Sequence, residues 1–183
     1  MTPAFHTHDE PGGSRRHRRE GDRLNIWTER LERGQLPLLE RWIGRGDGEL
    51  TANDLPTEAE RLAAWYERAA AEPGRLDCLA LVYETPVGVA GLRRIRGQEA
   101  ELYLLLGETG YNALRTATYV SLRMLDRAFG DLGLARVTVQ IRAEQAWFSE
   151  VLERMGFIRT ADGEELCALT VEKENYLSRK YLF

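Results

Sequence analysis

Residues 107–118, GETGYNALRTAT, have the clearest potential for chemistry, because they lead from an apolar strand into a long amphipathic helix. The first turn of any helix has backbone N–H groups without intrahelical partners. Together with the positive end of the helix dipole, those groups favour an anion such as a phosphate. The sequence therefore predicts an anion-binding site at the start of this helix.

The choice of general base is limited by the position of the histidines. His6, His8 and His17 all lie within the first 22 residues. If that stretch is a tail, the folded body has no histidine for Ser-His-Asp, Cys-His or His-metal chemistry. A carboxylate, tyrosine, thiolate, lysine or water chain must then act as base. Cys78 and Cys167 are far apart and lack metal-ligand spacing, so we expect reduced thiols and no metal site.

Composition predicts one soluble domain. The chain has 183 residues, 43% hydrophobic and 30% charged, and no apolar run long enough for a membrane helix. We expect a disordered tail over residues 1–22, whose SRRHRR cluster is balanced by acidic residues, and one domain over residues 23–183. An RNA-contacting arm is the alternative for the tail. The net charge of −4 argues against a surface that coats nucleic acid. We predict a cytoplasmic monomer or homodimer without a membrane partner.

Hydrophobic periodicity and turn residues give the order of elements that must position the junction. The predicted elements are a strand over 23–31, a helix over 34–44, a loop over 45–54, a helix over 55–74 with a Thr57–Glu60 capping box, strands over 75–84, 87–96 and 100–108, a helix over 113–132, a strand over 135–143, a helix over 145–156, and a final strand, Asp-Gly turn and strand over 156–176. This order predicts an α/β (α+β) fold, with a mixed, mostly antiparallel central sheet of about seven strands flanked by about four helices. The junction at 107–118 falls where such a sheet splays at its strand ends, a usual place for a ligand.

Several of these segments resemble the GNAT acetyltransferase superfamily. The resemblance is carried by the hairpin TPVGVAGL, the strand AELYLLLGE, the helix end AFGDLGLARV and ERMGF at 153–157. It covers about residues 24–172 and is nearest to the branch that includes ribosomal-protein alanine N-acetyltransferases. It implies the GNAT fold, acetyl-CoA or another acyl-CoA as co-substrate, no metal, and a pyrophosphate bound at the start of the central helix.

The pyrophosphate motif of that family is Gln/Arg-x-x-Gly-x-Gly/Ala, and the matching window here is NALRTA. The cofactor-binding residues implied by this match are Asn112, Ala113, Leu114, Arg115, Thr116 and Ala117. Arg115 stands where the first glycine normally lets the backbone approach a phosphate closely. Three interpretations stay open: the guanidinium adds a phosphate contact, the side chain fills the cradle, or the alignment is shifted by one residue.

The following helix departs from the family in two places. The family commonly has Asn at its start and, near its end, a Tyr that protonates the departing thiolate. Gln145 and Leu152 occupy those positions here. The resemblance implies that Gln145 contacts the cofactor, whereas Leu152 has no proton to donate.

The strand before the junction holds the implied catalytic residues. In several family members a Glu in a context similar to AEL is the general base, which implies Glu101 here. Alternation along the strand places Glu101, Tyr103 and Leu105 on one face. A carboxylate that enters an apolar cleft is a better proton acceptor than one in water. Tyr103 is a candidate proton donor, and the backbone of Leu104, Leu105 and Leu106 would pair with pantetheine and polarise the carbonyl group.

Three functions follow from this resemblance. The first is an N-acyltransferase that moves an acetyl or similar group from CoA to a small-molecule amine or a protein N-terminus, by direct attack on the thioester. The second is a divergent GNAT-fold enzyme with another donor, such as an aminoacyl-tRNA or a carrier-protein thioester, or with other thioester chemistry. The third is a non-catalytic binding module.

Overall fold

A computed structural model describes residues 25–43, 45, 48, 50–108 and 110–183. The predicted tail, residues 1–22, lies outside the described residues. Within the described ranges, no helix is both long enough and apolar enough to cross a bilayer.

Seven strands form one sheet in the order β1-β2-β3-β4-β5-β7-β6. The strands are β1 Ile26–Arg30, β2 Leu76–Val82, β3 Thr85–Arg96, β4 Glu99–Leu106, β5 Arg136–Arg142, β6 Ile158–Asp162 and β7 Leu166–Glu172. The helices are α1 Leu36–Ile43, α2 Leu62–Ala71, α3 Ala113–Asp126, α4 Ala146–Arg154 and α5 Lys173–Arg179. Between these strands, only β4 and β5 pair in parallel. The predicted mixed, mostly antiparallel sheet of about seven strands is confirmed.

Three local predictions are wrong. The last strand ends at Glu172 rather than within 173–176, and it is followed by α5, a fifth helix that was not predicted. The Thr57–Glu60 capping box does not form, because α2 begins only at Leu62, after a 3-10 turn. The β2–β3 turn lies at residues 83–84 rather than at Thr85-Pro86, and Tyr83 adopts a positive φ of 54° there.

The sheet separates two hydrophobic cores. On one face, α3, α4 and α5 cover a core that includes Leu102, Leu104 and Leu106 of β4. On the other face, α1 and α2 cover a core that includes Tyr103 and Leu105. The alternation of side chains along a strand accounts for this division, and it places β4 at the centre of the molecule.

The parallel pair β4–β5 comes apart before either strand ends. Its register runs from Glu99↔Arg136 to Leu102↔Val139 and stops there. Yet β4 continues to Leu106 and β5 to Arg142. The sheet therefore splays at the carboxyl ends of two neighbouring strands, beside the junction that leads into α3.

Candidate functional site

The amino terminus of α3 lies at the open end of the splay. Asn112 is its N-cap, and its side-chain Oδ1 accepts a hydrogen bond from the N–H of Arg115 at 2.9 Å. The N–H of Thr116 is bonded within the turn to the carbonyl of Asn112. Ala113 and Leu114 are exposed, and N–H groups of a first helical turn have no intrahelical partner and can bind an anion. The capping role of Asn112 was not predicted, although Asn before an amphipathic helix is a common N-cap signal.

The remaining residues of the window NALRTA divide into buried and accessible ones. Thr116 and Ala117 are buried against the core, so only their backbone could take the implied part in binding a cofactor, which stays a prediction. Arg115 is only partly buried, and its guanidinium has no hydrogen-bond or ion-pair partner among the described residues. This geometry leaves the Arg115 side chain available to a phosphate.

Helix α1 is hydrogen-bonded to the start of the same junction. Glu108 accepts hydrogen bonds from Arg41 and from Trp42 Nε1 at 2.8 Å, and Arg45 donates to the carbonyl of Gly107 at 3.0 Å. The Trp42 hydrogen bond and the nearby arginines lower the pKa of Glu108, although its partial desolvation opposes this. A Cβ at Gly107 would overlap the Trp42 ring, so only glycine allows this close approach. Gly107 and Glu108, at the start of the junction, are thus in direct contact with α1 and with Arg45.

The splay itself is filled by the chain's own backbone. Leu106 donates its N–H to the carbonyl of Gly48 at 2.8 Å, and Leu50 donates its N–H to the carbonyl of Leu104 at 3.2 Å. The N–H of Leu104 donates to Thr51 Oγ1 at 2.8 Å. The residues that lie along this part of β4, Gly48 and Leu50–Ala52, are called the inserted segment. The backbone groups of Leu104 and Leu106 that were expected to pair with pantetheine are therefore already paired within the protein.

The inserted segment also reaches β5, so it bridges the two splayed strands. Ala52 donates its N–H to the carbonyl of Gln140 at 2.7 Å, and Thr51 forms an isolated antiparallel bridge with Ile141. Leu50 and Thr51 are buried. A Cβ at Gly48 would overlap the carbonyl oxygen of Leu106, so glycine is needed for this approach. The predicted loop over 45–54 is thus partly an extended strand-like insertion.

Glu101 lies one residue before β4 and β5 separate, in charged rather than apolar surroundings. Its carboxylate accepts hydrogen bonds from Arg93 and from Arg94, the latter at 2.7 Å. Arg93 is buried, and it also contacts the carbonyl of Ala52 at 3.3 Å and Asp54 at 3.3 Å. The expectation of an apolar cleft around Glu101 is wrong, because β3 places two arginines opposite the carboxylate. Glu101 is instead linked through Arg93 to the inserted segment.

The ionic network continues to Tyr103, whose ring is buried in the α1–α2 core. The Tyr103 hydroxyl donates to Asp77, and Arg75 contacts both Asp77 at 2.8 Å and Asp54 at 2.9 Å. Burial and the neighbouring Asp77 raise the pKa of Tyr103 well above its usual value. Desolvation opposes the ionisation of Asp54, yet hydrogen bonds and charge from Arg75 and Arg93 lower its pKa. This placement favours a structural role for Tyr103 over proton donation.

The two departures in the following helix have simple structural outcomes. Gln145 precedes α4, and its side chain accepts a hydrogen bond from Trp147 Nε1 at 2.8 Å. Leu152 is fully buried in the core. Among the described residues, no group of His, Cys, Asp and Glu is arranged to hold a metal ion. Cys78 and Cys167 form no disulfide.

Comparison with known families settles the class of enzyme. A family model described as the acetyltransferase (GNAT) domain matches residues 32–158. The chain belongs to the GNAT acetyltransferase family. Members of this family use acetyl-CoA as co-substrate, and the chain is accordingly an N-acyltransferase. The resemblance inferred from TPVGVAGL, AELYLLLGE and ERMGF is confirmed for the family, whereas the ribosomal-protein alanine branch stays a prediction.

Solved structures share this fold at low sequence identity. A mutant form of the spermidine/spermine N-acetyltransferase SpeG from Vibrio cholerae is 16% identical, with a TM-score of 0.71, over 85% of this chain and 98% of that one. The dodecameric spermidine N-acetyltransferase from the same organism is 15% identical, with a TM-score of 0.71, over 84% and 97%. No match was found among curated protein sequences. The structural likeness shows the GNAT fold.

Proposed function

We propose that the protein transfers the acetyl group of acetyl-CoA to a primary amine, carried by a small molecule or by a protein N-terminus. The observation that supports this most directly is the start of α3, which opens beside the splay of β4 and β5. Two exposed residues, Ala113 and Leu114, present N–H groups there, and the Arg115 guanidinium is available nearby. These groups fit the pyrophosphate of the donor, because a helix N-terminus and a guanidinium both stabilise a diphosphate. They support the first of the three interpretations of Arg115.

The acceptor amine must lose a proton before it can attack an acyl carbon. We propose Glu101 for this role, acting through water, because it is the carboxylate of β4 that lies next to the splay. The proposal gives Arg93 a second role as the positioning residue that orients the Glu101 carboxylate. Leu152 supplies no acid, and Tyr103 is engaged with Asp77. Proton delivery to the leaving thiolate is therefore assigned to water or to Tyr111, which lies on the junction.

A direct test is titration of acetyl-CoA by calorimetry, together with thermal unfolding and a thiol-release assay against polyamines, amine antibiotics and N-terminal peptides. We expect binding, a rise in the unfolding temperature, and release of CoA with at least one class of amine. Arg115→Ala is expected to weaken binding about tenfold, as for loss of one charge-assisted hydrogen bond. Arg68→Ala is the matched control, because Arg68 is exposed on α2. The absence of heat and of any thermal shift at millimolar acetyl-CoA would refute this function.

One observation favours a second candidate, a GNAT-fold enzyme with a different donor. The inserted segment already pairs with Leu104 and Leu106, so the edge expected to receive pantetheine is engaged in this conformation. A donor such as an aminoacyl-tRNA would show itself by copurified nucleic acid and by salt-sensitive binding of tRNA. An absorbance ratio typical of bare protein would count against this candidate.

A further inference from the structure

The inserted segment and the arm of an acyl-CoA need the same backbone groups of β4. An amide-bearing chain that adds to a strand edge pairs with the N–H and C=O groups that point outward from that edge. On β4 beyond Leu102, the described groups that face the splay are those of Leu104 and Leu106. Both N–H groups already donate, to Thr51 Oγ1 and to the Gly48 carbonyl. The Leu104 carbonyl already accepts from Leu50.

We infer that the inserted segment is an internal competitor of the acyl donor, which must leave β4 before the donor can bind in a reactive position. This inference rests on the proposed function, since it assumes that the donor arm lies along β4. According to this inference, Thr51 is the residue that sets the affinity for the donor. No comparable role was predicted for residues 45–54 from the sequence.

The contacts of the inserted segment suit a piece of chain that detaches. Among its described residues the segment forms no ladder of its own, and these residues meet β5 through one bridge, Thr51↔Ile141, and one hydrogen bond from Ala52 to Gln140. Its contact with the Leu104 N–H is made by a side-chain hydroxyl, not by the backbone. We call the arrangement in which the inserted segment is bound to β4 the closed form. In that form, the Thr51 side chain alone determines whether the buried N–H group of Leu104 has this partner.

The competition can be measured as apparent affinity. When only the open form binds, the apparent dissociation constant equals the intrinsic one divided by the open fraction. Thr51→Val keeps the shape of the side chain but leaves the Leu104 N–H unpaired in the closed form alone. The cost of an unpaired buried donor predicts acetyl-CoA binding that is about tenfold tighter, within a range of roughly fivefold to hundredfold. Thr51→Ser keeps the hydroxyl and is the matched control, with an affinity within about twofold of the wild type.

A reversible lock provides a second, independent measurement. Thr51 and Ile141 are antiparallel partners, and facing positions of this kind lie within reach of a disulfide. The test protein carries Thr51→Cys and Ile141→Cys in a Cys167→Ser background, because Cys167 is the register partner of Ile141 on β7. The oxidised form is expected to lose acetyl-CoA binding by calorimetry, and dithiothreitol is expected to restore it. The reduced form of the same protein is the control for folding.

The outcomes separate this inference from the proposed function. Tighter binding by Thr51→Val than by Thr51→Ser, together with thiol-dependent binding by the locked protein, would establish the competition. Equal binding by the oxidised and reduced forms would show that the segment is a fixed wall of the site and overturn the inference, while the transferase function stands. If no form binds acetyl-CoA, including the reduced one and Thr51→Val, the proposed function fails and the inference falls with it.

Discussion

Replacing Glu101 by glutamine should destabilise the protein by about 3 kcal/mol, because the substitution breaks a buried ion pair. The side chains of Glu101 and Arg93 are only 9% and 7% exposed, and removing one partner of such a pair typically costs about 3–5 kcal/mol. The contact with Arg94 adds about 1 kcal/mol at most, because that side chain is 63% exposed. Glutamine keeps one oxygen acceptor for Arg93, which moderates the loss. The positive charge of Arg93 would then be paired with the carboxylate of Asp54, which is 45% exposed.

The free energy of unfolding can be measured by urea denaturation followed by circular dichroism. Glu99→Gln is the matched control on the same strand, because Glu99 and its partner Arg136 are 60% and 46% exposed. We expect the control to lose less than about 1 kcal/mol. A loss for Glu101→Gln within about 0.5 kcal/mol of the control would refute the reasoning that this pair is buried and coupled.

The same variant tests the proposed base. Under conditions where it remains folded, Glu101→Gln should lower kcat about 10²- to 10⁴-fold, the usual range for a general base. Unchanged turnover would show that proton removal does not depend on this carboxylate.

Three further predictions follow from the network and the junction. Tyr103→Phe should lower the free energy of unfolding by about 1–3 kcal/mol, since it removes a buried hydrogen bond to Asp77, and it should leave kcat nearly unchanged; a large loss of turnover in a stable variant would restore Tyr103 as an acid. The folded-state pKa of Asp54 is lowered, so its charged form stabilises the fold at pH values above its ordinary pKa of 3.8, and this contribution is lost as the pH falls through the lowered pKa. Asp54→Asn should therefore lose less stability than the wild type as the pH falls below about 4, and the same loss in both proteins would contradict this. Gly107→Ala should cost about 1–3 kcal/mol because its Cβ would overlap the Trp42 ring, whereas Gly110→Ala, where no atom of the described residues lies within 4 Å, should be nearly neutral in the same thermal melts.

Periodicity was sufficient to predict most of the architecture. The order of the strands, the Gly97-Gln98 turn and the long helix after the junction all follow from alternation and from turn residues, which are local signals. Helix α5 was missed because KENYLSR is short and follows an apolar strand without a clear stop signal. The inserted segment was missed for a different reason. Its extended shape depends on hydrogen bonds to β4 and β5, which lie far away in sequence, and RGDGELTAND has no period of its own.

The site could be predicted only in part from the sequence. The start of α3 agrees with the helix predicted after the junction, whereas the anion site expected there stays a prediction. The pairing of Glu101 with Arg93 could have been anticipated, because the Gly97-Gln98 turn places the arginines of LRRIR opposite AEL in the hairpin. The bulge in that hairpin, with Arg94 at a φ of 53°, brings two arginines to one carboxylate and could not be derived from counting alone.

Arg93 holds the carbonyl oxygen of Ala52 and the carboxylate of Glu101 with the same nitrogen, Nη2. Departure of the inserted segment would remove the Ala52 acceptor, leave Nη2 bonded to Glu101 alone, and let this ion pair adopt a new arrangement. An amine that binds first would then find the Glu101 carboxylate still in its original arrangement with Arg93. Initial-velocity measurements should therefore show a compulsory order in which the acyl thioester binds first.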